Sequence, residues 1–122
     1  MGDRGELIRQ AFAAYDGGDI AALERLFAPD AVWVGIPAGE TAACPDRSAI
    51  VDRLRKHREN GRRFELGDMI EEGDRVAVAF TVLNPAWSGP VETYKVFTFS
   101  GDVVVRMNDC IDESYARQVL AA

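Results

Sequence analysis

The sequence predicts an α+β domain, and three observations carry that prediction. Near the amino end, apolar residues recur with helical spacing. From Arg63 onward, Gly-Asp turns cut the chain into β-rich runs of strand length. Helical and strand segments are segregated rather than alternating, which favours an antiparallel sheet with helices to one side. The 122 residues suit one domain, 1–122, with one hydrophobic core.

The first helix runs over Glu6 to Tyr15, with Ile8, Ala11, Phe12 and Tyr15 on one stripe. Asp16-Gly17-Gly18 breaks it. Asp19 is placed to cap a second helix whose stripe is Ile20, Leu23 and Phe27, and Pro29 ends it. Ala31 to Pro37 reads as a short strand, with Val32, Val34 and Ile36 on one face and Ala31, Trp33 and Gly35 on the other. Ala38 to Pro45 reads as a loop. Asp46 is the N-cap of a third helix over Arg47 to Asn60, stopped by Gly61, with Ile50, Leu54 and His57 on one face.

Four strands follow: Arg63 to Glu72, Val76 to Leu83, Val91 to Phe99 and Val103 to Ile111. Gly73-Asp74 and Ser100-Gly101-Asp102 are turns, and Asn84 to Pro90 is a loop carrying Trp87. A short helix over Glu113 to Leu120 closes the order. Val76 to Leu83 is apolar on both faces, so both need cover. Helices supply one cover, and a second copy of the chain is the expected other, giving a homodimer through the outer sheet face.

Composition narrows the function. Twenty acids against fourteen bases give a charge of −6, which argues against nucleic acid and anionic membranes as partners. The two cysteines, Cys44 and Cys110, lack metal-ligand spacing, and a single histidine, His57, argues against a protein zinc site. No phosphate loop, dinucleotide fingerprint or Gly-x-Ser-x-Gly elbow is present, so no cofactor and no metal are expected. The amino end is charged from its start, without the apolar core of a signal peptide, and a cytoplasmic location is expected.

One acid stands out. On the last strand, strict alternation puts Val103, Val105, Met107, Asp109 and Ile111 on one face, a carboxylate in an apolar row. Burying such a charge is costly unless it holds a proton or finds a cation. Asp109 is therefore the candidate general acid/base; a wet strand end or a purely stabilising ion pair is the plainer reading. The turn decides its neighbours. A three-residue turn with a bulge brings Lys95, Phe97 and Phe99 to the Asp109 face, whereas a two-residue turn brings Tyr94, Val96 and Thr98.

Trp33 is read as a wall against a ring-shaped ligand or as core, and Tyr15 as core with a hydroxyl able to reach a pocket. Trp87 is read as a lid over the pocket mouth or as part of a dimer interface. His57 reads as a helix C-terminal residue in a favourable dipole contact. Six of the fourteen basic residues lie between Arg53 and Arg63, and five acids follow between Glu65 and Asp74, so that run reads as a solvated helix face balanced by those acids. Anion binding is the alternative.

The segment YDGGDIAALERLFAPDAVW, Tyr15 to Trp33, resembles the opening of the nuclear transport factor 2-like superfamily. YKVFTFSGDVVVRMNDCID, Tyr94 to Asp112, is similar to its closing hairpin, and within it the chain most resembles the SnoaL-like polyketide cyclase group. The resemblance implies a curved antiparallel sheet wrapped by helices into a cone, a cystatin-like α+β barrel, with an apolar pocket and often a dimer. It favours the register that faces Lys95 toward Asp109. Ketosteroid isomerases of this superfamily carry catalytic groups at positions matching Ala11, Gly35 and Lys95, and none is kept here. Limonene-epoxide-hydrolase-like enzymes carry an Arg-x-Asp pair at positions matching Ala79 and Thr81, also absent. Their last-strand aspartate, and that of SnoaL-like cyclases, matches Asp109.

The expected function is binding of a small hydrophobic cyclic or aromatic molecule, with Asp109 catalysing cofactor-free acid/base chemistry: aldol-type cyclisation, isomerisation or addition of water. Trp33, Tyr15, Met107, Lys95, Phe97 and, in the other register, Tyr94 would line the site. A non-catalytic binding or dimerisation module is the alternative.

Overall fold

The computed structural model describes residues 3–35 and 42–122. The chain runs α1 (Asp3–Asp16), α2 (Ala21–Leu26), β1 (Phe27–Val34), β2 (Ala42–Cys44), α3 (Arg47–Glu59), β3 (Arg63–Glu72), β4 (Arg75–Leu83), β5 (Val91–Ser100), β6 (Val103–Cys110) and α4 (Glu113–Ala121). The fold is α+β, with the strands in one curved, unclosed sheet ordered β2-β1-β6-β5-β4-β3. The pairings are antiparallel except β1 with β6, which run parallel. No described helix is long and apolar enough to cross a membrane.

The α1 stripe is buried as its spacing requires: Ile8, Ala11, Phe12 and Tyr15. Its last carbonyls, which no intrahelical N–H can reach, accept from Arg58, whose Nε donates to Tyr15 O at 3.0 Å and whose Nη2 donates to Asp16 O at 3.2 Å. Gly18 then turns the chain at φ +104°, in the region glycine tolerates best. On α3, the Asp46 side chain accepts from the Ala49 N–H at 2.9 Å, as an N-cap should, and Gly61 leaves the helix at φ +87°.

Four sequence expectations change here. The second helix ends at Leu26, and Phe27 is already extended at φ −94°, ψ 140°. Asp19 does not cap it, and its carboxylate meets Arg25 instead at 3.4 Å. Pro29 lies inside β1, exposed, where the pairing with β6 shifts register between Phe27 and Val32. Such an irregularity tolerates a residue that cannot donate. The stretch expected as loop contains β2, which pairs with β1 through Trp33 and Cys44. Ile36 to Thr41 lie outside the described residues.

The sheet has two cores. On the face toward α1 and α3, Phe12 meets Tyr15, Phe64, Phe80 and Phe97 edge-on, with centroids 5.4–6.1 Å apart. Phe80 and Phe97 stack at 6.2 Å. Aromatic pairs of this geometry contribute about 0.5–1.5 kcal/mol each beyond their burial. On the opposite face α4 covers Ala77, Val96 and Cys110 with Ala116 and Leu120. The two-sided apolar character of β4 is thus met in part by the chain's own last helix.

Candidate functional site

The β5–β6 hairpin decides which side chains accompany Asp109. Its turn is two residues long, Gly101-Asp102, closed by Ser100 opposite Val103. Alone that would face Tyr94 toward Asp109. The register then shifts between Thr98 and Phe99, and Val105 is the extra residue. Beyond that bulge Phe97 faces Met107, and Lys95 faces Asp109. The Lys95 register is reached by a short turn and a bulge two residues past it. The bulge also breaks the strict alternation expected on β6: Val104, not Val105, is fully buried in the main core, and Ile111 is exposed.

Lys95 Nζ lies 2.6 Å from Asp109 Oδ1, with side-chain exposures of 7% and 19%. The carboxylate in the apolar row therefore has its cation, and the pair is mostly shielded from water. The same ammonium sits 4.8 Å from the Trp33 ring centroid and 5.6 Å from that of Phe80. Aromatic faces stabilise a cation that has lost its hydration. Trp33, on β1 beside β6, is buried, and its Nε1 has no hydrogen-bond partner among the described residues.

His57 joins this group. Its ring meets Trp33 edge-on with centroids 6.4 Å apart. Its pKa is pushed down to about 4, first by burial and then by the charges of Arg62, Arg53 and Lys95, with Asp109 opposing. Arg62 Nη1 lies 3.2 Å from His57 Nε2. A guanidinium can only donate, so Nε2 accepts and the neutral ring carries its proton on Nδ1. The expected dipole contact of a charged histidine at a helix end does not describe this residue. The apolar stripe of α3 contained the signal, because His57 follows Ile50 and Leu54 on the buried face.

Other expected site residues are placed elsewhere. Tyr15 donates its hydroxyl to the Leu54 carbonyl at 2.7 Å, tying α1 to α3, and burial raises its pKa to about 12. That hydroxyl has a structural partner and is not free to polarise a substrate carbonyl. Tyr94 is on the α4 face, where its hydroxyl meets Glu113 at 3.2 Å, because the bulge turns it away from Asp109. Phe97 and Met107 share the inner face with Lys95 but are fully buried in the aromatic core. Cys110 is buried on the opposite face, its thiol pushed up to about 11 chiefly by burial. Cys44 is buried at the end of β2, and its thiol is raised, again chiefly by burial.

The basic run is largely solvent-exposed, as the sequence suggested, but its direct ion pairs are not with Glu65 to Asp74: Arg55 and Lys56 pair with Asp52, and Arg63 pairs with Asp16. Trp87 is 38% exposed, and the Arg62 guanidinium lies over it, 5.0 Å from the ring centroid. A cavity of about 410 Å³ opens beside His57, lined by Cys44, Ala49, Asp52, Arg53, Lys56, His57 and Asn60. Among the described residues, no cluster of three His, Cys, Asp or Glu side chains could hold a metal ion.

Comparison with known proteins agrees with this architecture. A nuclear transport factor 2-like protein of unknown function from Burkholderia pseudomallei is 20% identical over 100% of both chains, with a TM-score of 0.75. TerC, co-crystallised with polyporic acid, is 22% identical over 98% of both chains at a TM-score of 0.71. A candidate polyketide cyclase from Sinorhizobium meliloti is 22% identical over 85% of this chain and 93% of its own, at 0.70. No curated protein matches the chain. At these identities the solved structures speak for the fold alone. The sequence model of the SnoaL-like domain matches residues 8–110, and the chain belongs to that family.

Proposed function

We propose that the chain binds a small hydrophobic cyclic or aromatic molecule against Trp33 and that Asp109 moves a proton on it without a cofactor. The observation that carries this reading is the shielded Lys95–Asp109 pair beside Trp33. A buried ion pair is a poor way to stabilise a core, because desolvating two charges offsets most of their attraction. A packed apolar pair of similar volume would serve the fold as well.

The pair has a chemical use. Asp109 as a carboxylate accepts a proton from an acidic carbon or hydroxyl of the ligand. The ligand becomes the anion, Asp109 becomes neutral, and the Lys95 ammonium stabilises the new negative charge where it had stabilised the old one. Enolisation of this kind begins an aldol-type cyclisation or an isomerisation, and the same pair can activate a water for addition. The ligand class draws support from the neighbouring folds, which include TerC, crystallised with polyporic acid, and a candidate polyketide cyclase. A second copy on the outer sheet face beyond α4 belongs to the same proposal, and sedimentation tests it.

The decisive experiment uses 2-tetralone in deuterated buffer. The wild type should accelerate exchange of the acidic methylene protons, followed by NMR. Asp109→Asn should lower that rate by about 10²–10⁴ while tryptophan fluorescence still reports binding. Equal exchange by Asp109→Asn would overturn the assignment. Binding with no acceleration by the wild type would favour the non-catalytic module.

A further inference from the structure

Arg53, Arg55, Lys56, Arg58, Arg62 and Arg63 crowd one end of α3. Four of them are engaged. Arg55 and Lys56 meet Asp52, Arg63 meets Asp16, and Arg58 caps the carboxyl end of α1. Arg53 and Arg62 meet no carboxylate among the described residues. Both are at the tryptophans: Arg53 lies over Trp33 at 5.6 Å, and Arg62 over Trp87 at 5.0 Å.

Buried donors without partners are rare, because each forfeits the hydrogen bonds that water gave it. Among the described residues the buried side-chain nitrogens without a partner are Trp33 Nε1 and Arg62 Nε. Both belong to the contacts of one histidine: His57 packs on Trp33 at 6.4 Å and accepts from Arg62 at 3.2 Å. Two unpaired donors and two uncompensated guanidiniums therefore meet around a ring that is neutral at neutral pH. Lys95 adds a third cation nearby, and Asp109 balances only one of the three. Arg53, Lys56 and His57 line a solvent-open cavity together with Asp52, whose carboxylate is already taken by Arg55 and Lys56. Trp33 and Arg62 adjoin that cavity through their contacts with His57 and are not among its lining residues. In a chain of net charge −6 this is a local positive site.

We infer that Arg53, Arg62 and the Trp33 indole N–H form a subsite around His57 for an anionic oxygen, and that the ligand is an aromatic molecule carrying a carboxylate. The inference rests on the proposed binding of a ring against Trp33 and adds the ligand's charge. A carboxylate supplies the acceptors that both orphan donors lack. It also places negative charge beside the guanidiniums, and charge-assisted bonds are about twice as strong as neutral ones. The neutral His57 fixes the Arg62 guanidinium through Nε2 without adding a charge of its own.

The test compares 2-naphthoate with 2-naphthamide, which share the ring and differ in charge, by tryptophan fluorescence and calorimetry. The wild type should bind the naphthoate about tenfold to a hundredfold more tightly, and the preference should shrink as salt rises. Arg53→Met, at an exposed position where folding is not at risk, should lower that preference severalfold. Arg62→Lys should keep part of it, and Trp33→Phe should weaken the naphthoate more than the amide. Naphthoate binding should also raise the pH at which His57 titrates in NMR spectra, which the amide should not do. Equal affinity for the two ligands overturns the anionic subsite and leaves the ring-binding proposal standing. Failure of both ligands to bind overturns the two together.

Discussion

Replacing Lys95 by methionine keeps the length and apolar stem of the side chain and deletes its charge. Asp109 then loses its cation at a site where 19% of its side chain is exposed. Removing one partner of a fully buried pair costs about 3–5 kcal/mol, and the partial access of Asp109 to water brings the expectation to about 2–3 kcal/mol. For a chain of 122 residues that is a fall of about 8–12 °C in Tm. Asp109→Asn leaves an ammonium that still faces Trp33 at 4.8 Å and Phe80 at 5.6 Å. Those rings recover part of the loss, so about 1–2 kcal/mol is expected. The double variant should be no less stable than Lys95→Met alone, because both uncompensated charges are then gone. Urea unfolding of the four proteins closes the cycle. The two changes adding within about 0.5 kcal/mol would refute the reasoning, because distant, uncoupled groups behave that way.

His57 should make stability fall with acid in a window of its own. The unfolded chain takes the proton near 6.5 and the folded chain only near 4. Below pH 6.5 the unfolded state therefore binds more protons, and stability is lost as pH falls toward 4, by at most about 3 kcal/mol and about 1–2 kcal/mol after solvent screening. Urea midpoints between pH 7 and 5 should flatten in His57→Gln; an unchanged slope would remove His57 as the cause. Tyr15→Phe leaves the Leu54 carbonyl without its 2.7 Å donor and should cost about 1–2 kcal/mol in urea unfolding, with naphthoate affinity unaltered. A loss of affinity at full stability would return Tyr15 to the ligand site.

Periodicity made most of the fold legible. Buried stripes, the Asp46 cap and the Gly61 stop are local properties, and each helix and long strand lies close to where its pattern put it. The exceptions involve pairing. Nothing local in Phe27 to Pro29 announces a strand, and that stretch becomes one beside β6. Ala42–Cys44 becomes strand because Trp33 is opposite.

Asp109 stands out as a candidate in the sequence, where charge and apolar phase conflict, and the α3 stripe places His57 in line with Ile50 and Leu54. What the stripe does not announce is the contact of His57 with Trp33 and Arg62, which are distant in sequence or beyond the helix. The shielding of Lys95 was conditional on a bulge at Val105 that no turn residue marks. The unpaired donors of Trp33 and Arg62 depend on three-dimensional neighbours alone.

The central claim is that a ring binds against Trp33 beside the Lys95–Asp109 pair. The most direct measurement follows the indole N–H resonances of the two tryptophans during titration with 2-naphthoate, with Trp87→Phe to assign them. The Trp33 resonance should move downfield and saturate with the dissociation constant found by calorimetry, as an orphan donor gains an acceptor. Saturable binding by calorimetry with the Trp33 resonance unmoved would contradict the claim.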